Sequence, residues 1–226
     1  MKDVALEKAK RLLDRYGLPV QETARLASIW CVTLGLDNYF PMPKLKHDLR
    51  PGQILVPSVR PDRRMSSDDN MNHLQLLSKE FTHRAGCKKV VKPEFGNILS
   101  LDAHQDLVNE VPDYVRAWLM MDLYADNLRS PDECPVVVPD DDFAACFELL
   151  FFVQTNNEYF RQVSLLERSE RPEFCATGFV ITDNNFDEKV FHCHFDGNEP
   201  RLELAHRSIS RTNLFNPRSK VVEIIE

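Results

Sequence analysis

The sequence predicts an α+β fold, with N-terminal helices followed by a C-terminal antiparallel β-meander. Two changes of pattern along the chain predict it. Apolar residues recur at helical spacing through the first part of the chain, whereas the period changes from about residue 147 and alternation is clear in the strands from about 174. The third observation is size. With 226 residues, 43 % of them apolar, the chain can bury a sizeable core.

Val4, Ala5, Ala9, Leu12, Leu13 and Tyr16 give the stripe of a first helix over 3–16, stopped at Gly17. Pro19 opens a second helix to about 35, with Val20, Ala24, Ala27, Trp30, Cys31 and Leu34 along its apolar side. Residues 37–66 form a proline-rich basic connection, because Pro41, Pro43, Pro51, Pro57 and Pro61 exclude a helix or a central strand. Gln53–Val56 can still make a short edge strand. Ser67 or Asp68 caps a helix to about Ala85 that carries Met71, Leu74, Leu77 and Phe81, and Gly86 ends it. Lys88–Lys92 is a candidate strand. Ser100 caps a short helix through Leu107 and Val111, and Pro112 starts another through Trp118, Met121 and Leu128. Val136–Val138 is a short extended segment.

Residues 141–154 have two readings. One is a strand that turns at Thr155-Asn156-Asn157-Glu158 into a second strand over Tyr159–Leu166; the other is a buried helix beginning at Asp140. Strands then follow at 174–182, 188–195 and 201–209, joined by Asp183-Asn184-Asn185 and by Asp196-Gly197-Asn198-Glu199-Pro200. A last strand covers 219–225. The implied organisation is a helical pair at 1–36, the connection at 37–66, a helical region at 67–139 and an antiparallel sheet region at 140–226, able to pack as one domain.

Charge is uneven. Residues 1–64 carry twelve Lys/Arg against seven Asp/Glu, and residues 140–226 carry nine against sixteen. Neither GxGxxG nor GxxxxGK[ST] occurs, so nucleotide binding through a glycine-rich loop has no support. The first ten residues lack the apolar stretch of a secretion signal, and no apolar run is long enough to span a bilayer. None of the six cysteines forms a CxxC pair. The expectation is a soluble cytoplasmic protein with free thiols, away from the membrane.

Phe191-His192-Cys193-His194-Phe195-Asp196-Gly197-Asn198-Glu199 is the stretch densest in reactive side chains. In a pleated strand Phe191, Cys193 and Phe195 face the core, while His192 and His194 share the outer face as half-exposed rings. Two imidazoles at i, i+2 can ligate a divalent metal such as zinc, with Glu199 just past the turn as third ligand. His206 falls on the opposite face, the side of Cys193. His-x-His-x4-Glu is similar to the first metal motif of cupin barrels. Phe186 stands where that motif has glycine and no second motif is found, so the likeness is not accepted. His192, Asp196, Gly197 and Asn198 resemble the active-site loop of Fic-type nucleotidyl transferases. Glu199 and Pro200 replace its glycine and arginine, and that likeness too is set aside.

Cys31 lies on the apolar side of its helix and reads as structural. Cys87, with Arg84, Lys88 and Lys89 nearby, is the candidate reactive thiol. Asp140-Asp141-Asp142 reads as an acidic first helical turn. Lys44, Lys46, Arg50, Arg60, Arg63 and Arg64 are the candidate contacts to nucleic acid or another polyanion. The expected function is binding of another macromolecule, foremost a protein, in an interaction or regulatory role without catalysis and without a cofactor. The alternatives are a metal-dependent hydrolase using His192 and His194, and a nucleic-acid binder using the 44–64 segment.

Overall fold

A computed structural model of the chain describes residues 2–36, 40, 42, 45, 48–58, 66–87, 98–103, 117–128, 142–143, 146–209 and 213–222. Helices α1 (Lys2–Tyr16) and α2 (Val20–Thr33) come first, burying Ala9 and Leu13 from one and Ala24, Ala27, Trp30 and Cys31 from the other. Gly17 lies so close to the preceding turn that a Cβ there would meet the Leu13 carbonyl oxygen at 2.5 Å. Any other residue at 17 would force the α1–α2 corner open.

Helix α3 (Ser67–Leu76) is capped one residue earlier than the sequence suggests. The Ser66 hydroxyl accepts from the Asp69 N–H at 3.2 Å, while Ser67 instead takes the Leu101 N–H at 2.6 Å. The helix continues through a π-helical turn, Leu77–Phe81, and a last turn, Thr82–Ala85. The wider turn frees backbone groups. The buried Gln154 amide answers one of them, the Leu77 carbonyl (3.3 Å), and also donates to the Thr82 hydroxyl (3.0 Å). Helices α4 (Cys146–Thr155) and α5 (Asn157–Val163) are separated by Asn156, which accepts the Leu18 N–H at 2.9 Å and so ties this junction to the α1–α2 corner.

The strands are β1 (Gln53–Ser58), β2 (Ile98–Ala103), β3 (Ala117–Leu128), β4 (Asp142–Phe143), β5 (Glu173–Asp183), β6 (Glu188–Asp196), β7 (Glu199–His206) and β8 (Leu214–Val221). They form one sheet in the order β1-β3-β8-β5-β6-β7, with β2 beside β5 and β4 beside β8. Every pairing is antiparallel except β5 with β8. One face carries the main core, in which Trp30, Phe81, Phe151, Phe152 and Phe160 from the helical segments meet Phe174, Phe191 and Phe215 from the strands. The other face holds a smaller cluster of strand residues, Leu128, Cys175, Val190 and Leu214.

The α+β class holds, with helices first and strands concentrated later. Several finer expectations are corrected. Residues 117–128 are a strand and not a helix, and Ser100 lies in β2 and caps nothing. Leu119, Met121 and Leu123 are buried and Met120 and Asp122 between them half-buried, but apolar Trp118, Met120 and Tyr124 on the other face hide that alternation in the sequence. Of the two readings of 141–154 the buried helix holds, and Tyr159–Leu166 is not a strand: Cys146–Thr155 and Asn157–Val163 are helices. Phe147 and Leu149 to Val153 are buried all round α4, which erases any helical stripe. The meander comprises β5, β6 and β7 only; β8 returns to lie between β3 and β5 and makes the sheet mixed. Asp142 sits in β4, not in a helical turn.

Cys31, Cys87, Cys175 and Cys193 are thiols, none in a disulfide. The Cys134 and Cys146 side chains, Lys88–Lys92 and Val136–Val138 lie outside the described residues. Among the described residues no helix is long and apolar enough to cross a membrane.

Candidate functional site

Strand β6 sorts its side chains as its alternation requires. Phe191, Cys193 and Phe195 join the main core, with Phe195 packed 6.1 Å from the ring of Phe160. Burial pushes the Cys193 thiol far above its usual range, with the Glu173 carboxylate adding to the effect. It is a small core residue and not a nucleophile.

His192 and His194 lie on the opposite face, but that face is not open to solvent. His192 is 0 % exposed, which corrects the expectation of two half-exposed rings. The rings stack, with centroids 5.1 Å apart and 11° between planes. His192 stands between Cys175 on β5 and Glu203 on β7, and its Nε2 lies 2.8 Å from Glu173 Oε2, on the β5 side. His194 turns the other way. Its Nε2 is 3.1 Å from Glu203 Oε1 on β7, an approach whose angle does not make a hydrogen bond.

The two imidazoles therefore lean toward opposite neighbouring strands and do not converge. Glu199 pairs with Asp196 at the turn, and both carboxylates approach Arg201, at 4.0 and 3.4 Å. Among the described residues no three His, Cys, Asp or Glu side chains form a group able to hold a metal ion. The His192–Glu173 pair has the form of a carboxylate-oriented base, yet its remaining nitrogen, Nδ1, is buried and has no hydrogen-bond partner. A base must reach the proton it takes. A sealed nitrogen does not.

His194 lines an open groove together with Glu167, Arg168, Ser169, Arg171, Glu173 and Phe195. Arg171 is already committed within it. Its guanidinium donates to the carbonyls of Leu166 (3.1 Å) and Ser164 (2.6 Å), to the Gly197 carbonyl and to Asn198 Oδ1 (3.1 Å), and it lies over the Phe195 ring. It clamps the β6–β7 turn to the segment after α5. Glu173 and Glu203, not Glu199, are the carboxylates brought to the histidines. Glu203 was within reach of strand parity, since inward Leu202 and Leu204 put it outward; Glu173 needed the β5–β6 register.

Replacing His192 by alanine should cost about 1–3 kcal/mol, because its contact with Glu173 is lost and a buried space opens. His194→Ala, at the groove's edge, should cost less than half of that. Urea unfolding of the two variants measures the difference; equal costs would mean that His192 is not the buried member.

The other candidates divide. Arg50 is exposed beside a groove between the α1–α2 corner and the lead into β1, and its N–H is held by Gln53 Oε1 at 2.9 Å. Lys44, Lys46, Arg60, Arg63 and Arg64 lie outside the described residues. Cys87 is half-buried, and burial raises its thiol pKa against a smaller lowering by Arg25. That direction is the reverse of what an activated thiol needs. His206 is exposed at the end of β7 and paired across the sheet with Lys189.

One residue that the sequence reading did not select stands out in the β5–β6 turn. Phe186 is 78 % exposed and has φ of 64°, and it is the only non-glycine with positive φ among the described residues. A left-handed conformation costs a side chain with a Cβ about 1–2 kcal/mol. The loop demands it. Phe186 N–H donates to the Asp183 carbonyl (2.9 Å), and the Asp183 N–H donates to the Asp187 carbonyl (3.1 Å), which makes a three-residue hairpin loop whose third position is left-handed. The neighbouring β6–β7 turn puts Gly197 at such a position, φ 61°. The only advance sign was an aromatic residue directly after a turn-forming Asp-Asn-Asn. The chain matches no family model, no curated protein and no solved structure.

Proposed function

We propose that the chain acts by binding another protein and does not itself catalyse a reaction. The observation that carries this reading is Phe186. An aromatic ring held in water, at a backbone position suited to glycine, lowers the stability of the free chain. Local costs of this kind concentrate at functional positions. The histidine cluster is consistent with the same reading, since its two imidazoles are turned to separate carboxylates and the more buried one is sealed.

The test is recovery of the full chain from the cells that make it, after mild reversible cross-linking, with and without nuclease. A defined protein that co-sediments with the chain and survives nuclease supports the reading. A chain that sediments alone, or that carries only nuclease-sensitive nucleic acid, overturns it. In the second case the basic 44–64 segment takes over as the functional element, and retention should fall steeply with salt.

A further inference from the structure

We infer that the tip of the β5–β6 hairpin, with Phe186 at its head and Leu99 beside it, docks into an apolar socket rimmed by lysine or arginine on a partner protein. This rests on the protein-binding reading above and names the surface and the chemistry it fits.

Leu99 is brought to the tip by the sheet. Ile98 of β2 pairs with Asp183 and Ser100 pairs with Thr182, so two steps on β2 span one step on β5 and Leu99 is the extra residue. Such a bulge re-aims a side chain out of the regular pleat. Leu99 is 47 % exposed. Two large apolar side chains, each presented by a local departure from regular backbone, therefore sit at the same end of the sheet.

The tip is also stiff. Asp183 Oδ1 accepts the N–H groups of Asn185 (2.9 Å) and Asp187 (3.0 Å), and its other oxygen lies 3.2 Å from Lys189 Nζ. The Asp187 N–H, the Asn185 N–H and Lys189 hold the Asp183 carboxyl below its ordinary pKa, so the loop is braced at neutral pH. A braced loop loses little freedom on docking.

The collar around the ring decides the partner's charge. Asn184, Asn185, Asp187 and Glu188 are all exposed, whereas Lys189 is folded beneath the turn against Asp183. Arg207, whose N–H donates to the Glu188 carbonyl beside the turn, reaches the Glu188 carboxylate at 3.1 Å, and Lys189 lies 3.9 Å from Asp187, so Asp183, Asp187 and Glu188 outnumber the two cations by one. In the sheet, Leu99 on β2 lies to the β5 side of the turn, and Asp187 and Glu188 lie to its β6 side. A basic rim complements that acidic side, and like charge repels it.

The test places a photoreactive benzoylphenylalanine at Phe186, at Leu99 or, as control, at Leu165, which is 75 % exposed beyond α5. The full chain is irradiated in the cells that make it. The expected result is an adduct with one protein from positions 186 and 99 and none from 165, with a yield that falls as salt is raised in lysate. Unlabelled wild-type chain should compete for the Leu99 adduct, and Phe186→Gly should compete at least about tenfold less well. The same glycine variant should melt about 2–4 °C higher, because it relieves the left-handed strain.

A glycine variant that competes like wild type, or melts no higher, overturns the inference. So does an adduct with a second copy of the chain, a salt-independent yield, or equal labelling from Leu165. A protein co-recovered by cross-linking but never labelled from 186 or 99 sinks the tip and leaves the protein-binding reading standing. Failure of both experiments sinks both.

Discussion

Cys193→Asp should leave the chain largely unfolded at room temperature. Cys193 pairs with Phe174 on β5 and Leu202 on β7, and Phe191 and Phe195 flank it on the same face. The titratable groups that act on this core position are Glu173, which raises the thiol's pKa, and Tyr159, whose own pKa the thiol helps to raise. Neither can balance a carboxylate. Burying an unpaired acid costs several kcal/mol even when it protonates to avoid the charge, a large part of the roughly 5–15 kcal/mol that holds a domain together. Cys193→Ala, which removes only the sulfur, should cost about 1 kcal/mol. Circular dichroism melts separate the two. A cooperative aspartate melt within a few degrees of wild type would place Cys193 on the open face and undo the assignment of both histidines.

The second large effect is expected at Trp30. Its ring lies 4.8 Å from Phe81 in the π-helical turn and 4.9 Å from Phe151 on α4, edge-on to both. Three segments distant in sequence therefore meet on one indole, which is 1 % exposed. Trp30→Ala should cost about 3–5 kcal/mol, the range for removing a buried aromatic and leaving a cavity. Trp30→Phe keeps a ring at both contacts and should recover most of that. Denaturant midpoints at constant slope give the values. A loss below about 1 kcal/mol for the alanine variant would mean that the neighbours collapse into the space, and that the junction of α2 with the π-turn is soft.

What could be read from the residues follows from how each element is buried. Helices α1 and α2 have one wet side, so their apolar stripes were plain. Strands β5, β6 and β7 were likewise visible in period two. That alternation also placed Cys193 inward and His192 outward correctly. Helix α4, one of the two readings open for 141–154, is buried on every side and gives no contrast between faces. Strand β3 was read as helix because apolar Trp118, Met120 and Tyr124 on one face of the strand and Leu119, Met121 and Leu123 on the other hide its period. The burial of His192 was invisible because it depends on what covers the outer face, a matter of tertiary structure. At Phe186 the turn was legible but the backbone sign was not. Which loop residue turns left-handed depends on how the two strands register, and the strand boundaries were not known to one residue.

The position of β8 bears on how the chain is made. Among the described residues, the β1–β3 pair joins the rest of the sheet only through β8, which comes from residues 214–221. During synthesis, then, the centre of the sheet is the last strand to arrive. Until it does, one edge of β3 and the start of β5 at Glu173 and Phe174 are unpaired and open to another nascent chain, the far end of β5 being held by β2. Contacts that close over so long a span are slow to form. The molecule should depend on chaperones that shield exposed strand edges, and a ribosome stalled before residue 214 would release two unjoined pieces of sheet.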